Sequence, residues 1–163
     1  QLNTTNNDVS YIFQNPSTNL TVFKRNSDGT GYEQSTYDPD IPGWSQSLTV
    51  NPGEAVWLTS PVSYTNVFVG EVMQGSLSNS IPNGYSLKSS YVPQSAGVVT
   101  TMNYPVDNND TFFFWNGNGY NQTSYDPDIP GWTDGEPTPL VGQGFWIQNP
   151  NTVKNWVRNF TVN

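Results

Sequence analysis

Apolar positions fall in short runs: Leu20 to Phe23, Ala55 to Leu58, Val67 to Val69, Thr111 to Trp115, Phe145 to Ile147 and Trp156 to Val162. Clusters of Pro, Gly, Asn and Asp separate them, the punctuation expected between strands. Polar and apolar positions alternate through Tyr85, Leu87 and Ser89, as they do along a half-buried strand. No window keeps apolar residues at helical spacing for three turns. The pattern predicts an all-β chain with little or no helix, built from sandwich-like or barrel-like units.

The runs recur. Tyr37-Asp38-Pro39-Asp40-Ile41-Pro42-Gly43-Trp44 returns unchanged as Tyr125-Asp126-Pro127-Asp128-Ile129-Pro130-Gly131-Trp132. Upstream, Asn19, Thr21 and Phe23 match Asn109, Thr111 and Phe113; downstream, Gly53 to Leu58 matches Gly142 to Ile147, Pro61 matches Pro150, and Asn66 matches Asn155. The separation is longer than the ~20–50 residues of a solenoid repeat. It predicts two homologous β units in tandem, residues 1–74 and 75–163, each large enough for a small β domain or for half of a shared core.

Composition sharpens this picture. Only Ala55 and Ala96 are alanines among 163 residues, whereas 14% are aromatic, so rings carry much of the core. The net charge of −8, with five Lys and Arg, argues against nucleic acid, which needs a clustered basic face, and against an anionic membrane surface. No apolar run approaches the ~20 residues of a spanning helix, and no signal peptide is present. Gln1 rather than Met opens the chain, as in a processed or trimmed protein. Low charge, abundant Asn, Ser and Thr, and no Cys suit an extracellular or cell-surface protein that avoids disulfides. Sequons begin at Asn3, Asn19, Asn109, Asn121 and Asn159, candidate glycosylation sites where the source organism modifies exported proteins.

The repeated octapeptide admits three uses. As a structural loop, Asp38 before Pro39 is extended, Pro42-Gly43 fits a type II turn with Gly at positive φ, and Tyr37 and Trp44 fold back over the sheet. As a cation site, Asp38 and Asp40 with their copies Asp126 and Asp128 are candidate Ca²⁺ ligands alongside loop carbonyls; an Asx turn accounts for the same aspartates without metal. As a glycan site, Tyr37, Trp44, Tyr125 and Trp132 stack on pyranose rings, and two copies give avidity. Catalysis is not expected, since without His or Cys the usual triads, thiol nucleophiles and zinc sites are absent. Paired carboxylates suit a glycosidase, yet nothing marks one copy of the motif as active. Lys24, Lys88 and Lys154 are candidates for an internal Lys–Asn isopeptide bond of the kind some surface adhesins carry, and spacing pairs none of them.

The run Gly70 to Leu77, then Ile81 to Ser90, then Val92 to Gly97 resembles a repeat of uncharacterised exported proteins of Verrucomicrobia and related bacteria. Gly142 to Ile147 and the closing Trp156, Arg158, Phe160 and Val162 are similar to that family's terminal strand pattern. The resemblance covers nearly the whole chain and implies export, a β-rich fold and a surface or matrix setting, with no activity to transfer.

The second unit is led by Gly75 to Ser90, whereas Gln1 aligns near Tyr91, so the first unit is short of a strand. Its sheet is expected to expose an unpaired edge, which a neighbouring copy fills by strand addition, and such a contact repeats head to tail into a filament. The expectation is a structural protein of a surface filament or matrix that self-assembles. A tandem carbohydrate-binding module is the alternative. The structural reading buries Trp44, Trp57, Trp132 and Trp146; the binding reading leaves a ring of each repeated loop in solvent.

Overall fold

The computed structural model describes the backbone of residues 2–3 and all of residues 6–129 and 131–162. The chain is nearly all β. β1 is Leu2–Asn3, β2 Leu20–Arg25, β3 Tyr32–Asp38, β4 Gly43–Trp44, β5 Val56–Thr59, β6 Glu71–Val72, β7 Gly75–Ile81, β8 Gly84–Ser89 and β9 Thr111–Trp115. Then come β10 Tyr120–Asp126, β11 Gly131–Trp132, β12 Gly144–Asn149 and β13 Lys154–Phe160. A single turn of helix, α1 (Val9–Ile12), precedes β2, its first amide groups capped by Asp8.

One antiparallel order appears in both halves of the chain: β4-β3-β2-β5 in the first, and β11-β10-β9-β12 in the second, where β8 extends the sheet beyond β12. Tyr37 faces Trp44 across β3 and β4 as Tyr125 faces Trp132 across β10 and β11. Side chains repeat the match. The Thr21 and Thr36 hydroxyls bond across β2 and β3 at 3.0 Å, and Thr111 and Ser124 do so across β9 and β10 at 2.8 Å. Strand alternation sends Leu20 and Val22 inward on β2, and Phe112 inward on β9.

Two clusters of buried side chains form. One gathers Val9, Phe13, Leu20, Val22, Tyr37 and Leu48. The other is richer in rings, with Phe112, Phe145, Trp156 and Tyr104 packed on Ile81 and Ile147. Tyr104 meets Phe112 at 5.0 Å and Trp156 at 5.4 Å, both edge to face, the geometry favoured by the ring quadrupole.

Three expectations need correction. Gly43 and Gly131 are not in the left-handed region; they start β4 and β11 and pair with Asp38 and Asp126. The reversal is made over residues 39–42, where two prolines restrict the backbone, so the glycine is not needed for its φ. Pro130 lies outside the described residues. Second, Val67 to Val69 form no strand, because the partner that β13 finds in β7 has no counterpart there among the described residues. Third, the edge of the first sheet is not wholly unpaired. Glu54 bridges Lys88, Ser89 N–H donates to Gly53 O at 3.0 Å, and Ala55 N–H donates to Leu87 O at 3.4 Å. β8 thus serves both halves of the chain, with β12 on one side and residues 53–55 on the other.

Candidate functional site

Each repeated hairpin is held by its own aspartate. Asp38 Oδ1 accepts the Asp40 N–H, and Asp126 Oδ1 the Asp128 N–H, each at 2.9 Å. This is the Asx turn, which accounts for Asp38 and Asp126 without a metal. Among the described residues no group of three or more acidic, His or Cys side chains is placed to hold a metal ion. Tyr37 is buried, and Tyr125, Trp44 and Trp132 are half-buried. Trp44 packs on Tyr37 at 5.7 Å and Phe13 at 6.2 Å; Trp132 packs on Tyr125 at 5.5 Å and Phe112 at 5.7 Å. The loop tips offer Ile41 and Ile129 to solvent instead. Beside the first hairpin lies a groove of about 440 Å³ lined by Asp8, Tyr37, Trp44, Gln46 and Ser47.

Asp8 is committed within that groove. Its Oδ1 accepts Ser10 N–H and Ser10 O–H, and its Oδ2 accepts Ser47 O–H and, at 3.0 Å, Leu48 N–H. Burial pushes the carboxyl up, but these hydrogen bonds outweigh it and hold the group below the usual carboxylate range. The second half supplies the same carboxylate from the opposite side. There Glu136 accepts Val99 N–H at 2.6 Å, Thr100 N–H at 2.8 Å and Thr100 O–H at 2.9 Å. The frames correspond, because Val9 N–H donates to Leu48 O as Val98 N–H donates to Pro137 O. Gly97 stands in the place of Asp8, where a Cβ would lie 2.6 Å from Glu136 Oε2.

A denser aromatic grouping lies on the outward face of the sheets, and the sequence reading did not nominate it. Trp57 of β5 meets Trp115 at 5.3 Å and Tyr120 at 6.1 Å, rings of the β9–β10 hairpin. Trp146 of β12 lies under the Arg25 guanidinium of β2 at 5.7 Å and donates its indole N–H to the Tyr120 hydroxyl at 3.2 Å. Phe113 and Tyr85 continue the surface, with rings 6.0 Å apart. Trp57 and Trp146 are half-buried here, while Trp115, Tyr120 and Tyr85 remain 43–52% exposed. Alternation in Phe113, Trp115 and Tyr120 carried the signal, but it takes the pairing of strands to bring both halves onto one face.

The segment between β5 and β6 is the other exposed apolar feature. Residues 63–70 have no strand partner among the described residues. Asn66 donates to Ile12 O at 3.0 Å and Phe68 packs on Phe13 at 5.7 Å. Val67 and Val69 point the other way and are 80% and 81% exposed. The matching stretch of the second half is β13, with Lys154 to Phe160 paired to Ile81 to Gly75. In the first half the pairing found next to this segment is Leu2 with Val72 and Asn3 with Glu71, and Leu2 and Asn3 do not match β7 in the repeat.

Asn19, Asn109, Asn121 and Asn159 are exposed; the Asn3 side chain lies outside the described residues. No described helix is long and apolar enough to cross a membrane. Comparison with protein-family models, curated proteins and solved structures finds no match.

Proposed function

We propose that the chain is a non-catalytic, extracellular structural subunit of two β units, residues 1–74 and 75–163, which joins copies of itself head to tail by strand addition. The observation that carries this is the 63–70 segment: it is tied down only at Asn66, which donates to Ile12 O, and at Phe68, which touches Phe13 while staying 55% exposed, and it leaves Val67 and Val69 in solvent with no strand beside it among the described residues. Unpaired backbone next to exposed β-branched residues is a template for another strand. Each copy also carries the two-stranded β13–β7 sheet, and a sheet ends in edge strands that a further strand can extend. An unpaired segment of one copy meeting a sheet edge of the next is a heterologous contact, which propagates into a fibre where the rotation does not close.

The test is the assembly state of the full chain by light scattering and negative-stain microscopy, for the wild type and for the double variant Val67→Asp, Val69→Asp. The wild type is expected to form concentration-dependent assemblies, and the variant, changed only at exposed positions, to stay monomeric and folded. A wild type that is monodisperse and monomeric at every concentration sinks the reading.

A second reading has its own support. The exposed Trp115, Tyr120 and Tyr85 rings suit stacking against pyranose faces. In this version glycan binding moves from the repeated loops to the sheet face. Trp115→Ala is then expected to abolish retention on a glycan array with stability unchanged, whereas Trp44→Ala acts through folding.

A further inference from the structure

One buried ion pair has no counterpart in the first half of the chain. Asp110, immediately before β9, is fully buried, and its Oδ2 lies 2.6 Å from Lys154 Nζ at the start of β13. Oδ2 also accepts the Asp107 N–H at 2.8 Å, while Oδ1 is buried with no hydrogen-bond partner among the described residues. Lys154 Nζ sits 5.6 Å from the centre of the Tyr104 ring, and the buried Tyr104 hydroxyl lies beside the Asp110 carboxyl. Phe112 and Trp156 complete the enclosure against Tyr104. In the first half, Leu20 takes the position of Asp110 in the strand register, facing Tyr37 as Asp110 accepts the Tyr125 N–H. Thr65 matches Lys154, on the register that aligns Asn66 with Asn155.

We propose that Lys154 and Asp110 condense into an intramolecular isopeptide bond. An ion pair in such surroundings is an expensive arrangement, because the desolvation of two charges is only partly offset by their attraction. Burial pushes the Asp110 carboxyl above its ordinary range despite the opposing Lys154 charge, which favours the neutral acid that an amine can attack. Across the 2.6 Å contact a proton passes from the Lys154 ammonium to the Asp110 carboxylate. The neutral amine nitrogen then adds to Cγ, forming the N–Cγ bond. One carboxyl oxygen leaves as water with the acid proton and one amine proton, so nothing is oxidised or reduced and no co-reactant is required. The reacting groups are held at contact distance by the fold, which supplies the proximity that makes such a step accessible at neutral pH. The bond would tie the five-stranded sheet to the β13–β7 sheet, independently of whether copies assemble.

Trypsin reads this directly in the purified full chain, since its sites include Lys88, Lys154 and Arg158. An acylated Lys154 is not cleaved, so residues 89–158 are expected as one peptide lighter than its sequence by one water, with the same loss in the intact mass. Dehydration at Asp134-Gly135 also loses water but leaves Lys154 open to trypsin, and cyclisation of Gln1 loses ammonia from a different peptide. Lys154→Arg and Asp110→Ala should each restore the sequence mass. Because the wild-type measurement stands by itself, poor folding of either variant does not blunt it. Release of residues 155–158 from wild type, with an intact mass equal to the sequence, overturns the proposal.

Discussion

Residues 63–70 and β13 are the same stretch of the repeated pattern in two circumstances. β13 lies against β7, with Trp156 and Arg158 turned inward and buried; Val67 and Val69, in the matching stretch, stand in solvent. The difference teaches that an apolar run is a strand only where another backbone meets its N–H and C=O groups. Side-chain pattern supplies the face and the partner supplies the structure.

The comparison can be broken most severely at its paired member. Trp156→Ala removes a ring from the aromatic cluster and the indole N–H bond of 2.6 Å to Met102 O, and is expected to cost about 3–5 kcal/mol in denaturant unfolding. Val67→Ala, at the matching position, should stay within about 0.5 kcal/mol in the monomer. Equal effects would mean that the first-half segment is packed as β13 is.

Glycines sharpen the contrast at an intermediate scale. Gly53 has φ +83°, and an added Cβ would stand 2.7 Å from the Tyr91 ring and 2.9 Å from Asn79; its match Gly142 has φ +78° and open space around it. Both alanine variants carry the φ penalty, but Gly53→Ala should be the more destabilising by about 1–3 kcal/mol, the cost of forcing an overpacked site to move. Melting of the two variants side by side checks the ordering.

The carboxylate caps come next. Asp8→Ala should lose about 1 kcal/mol, the worth of a helix cap. Because the folded Asp8 carboxyl titrates below its ordinary value, this contribution is present above the unfolded pKa and fades as pH falls through the folded one. Urea unfolding of wild type and Asp8→Ala at neutral and strongly acid pH should therefore show a deficit that closes at low pH, and a constant deficit would contradict the assignment. The smallest effect is expected at Gly43→Ala and Gly131→Ala. Neither glycine has positive φ, and the nearest atoms to an added Cβ lie at 3.9 Å and 3.6 Å, so both should unfold within about 0.5 kcal/mol of wild type.

Much of the fold was legible in the sequence because strand alternation and turn chemistry are local. The runs at Leu20, Thr111 and Phe145 became β2, β9 and β12. Asp38 and Asp126 announced their turns, although the reversal is made before Gly43 and not through it. The candidate sites were less legible. Tyr37 and Trp44 are adjacent across a hairpin and could be nominated from one motif, whereas Trp57 with Trp115, or Lys154 with Asp110, depends on sheet order and on residues far apart in the chain. Among the lysines, Lys154 meets an aspartate where an asparagine was expected, and Lys24 lies 2.9 Å from Glu54.

The exchange of Asp8 with Ser47 for Gly97 with Glu136 makes the two halves poor donors of parts for each other. A genetic crossover that joined the first-half turn to the second-half loop would seat two carboxylates in one cap, and the reciprocal product would seat none. Either product is expected to be less stable than the chain as it stands, one through like-charge repulsion and the other through unpaired amide groups.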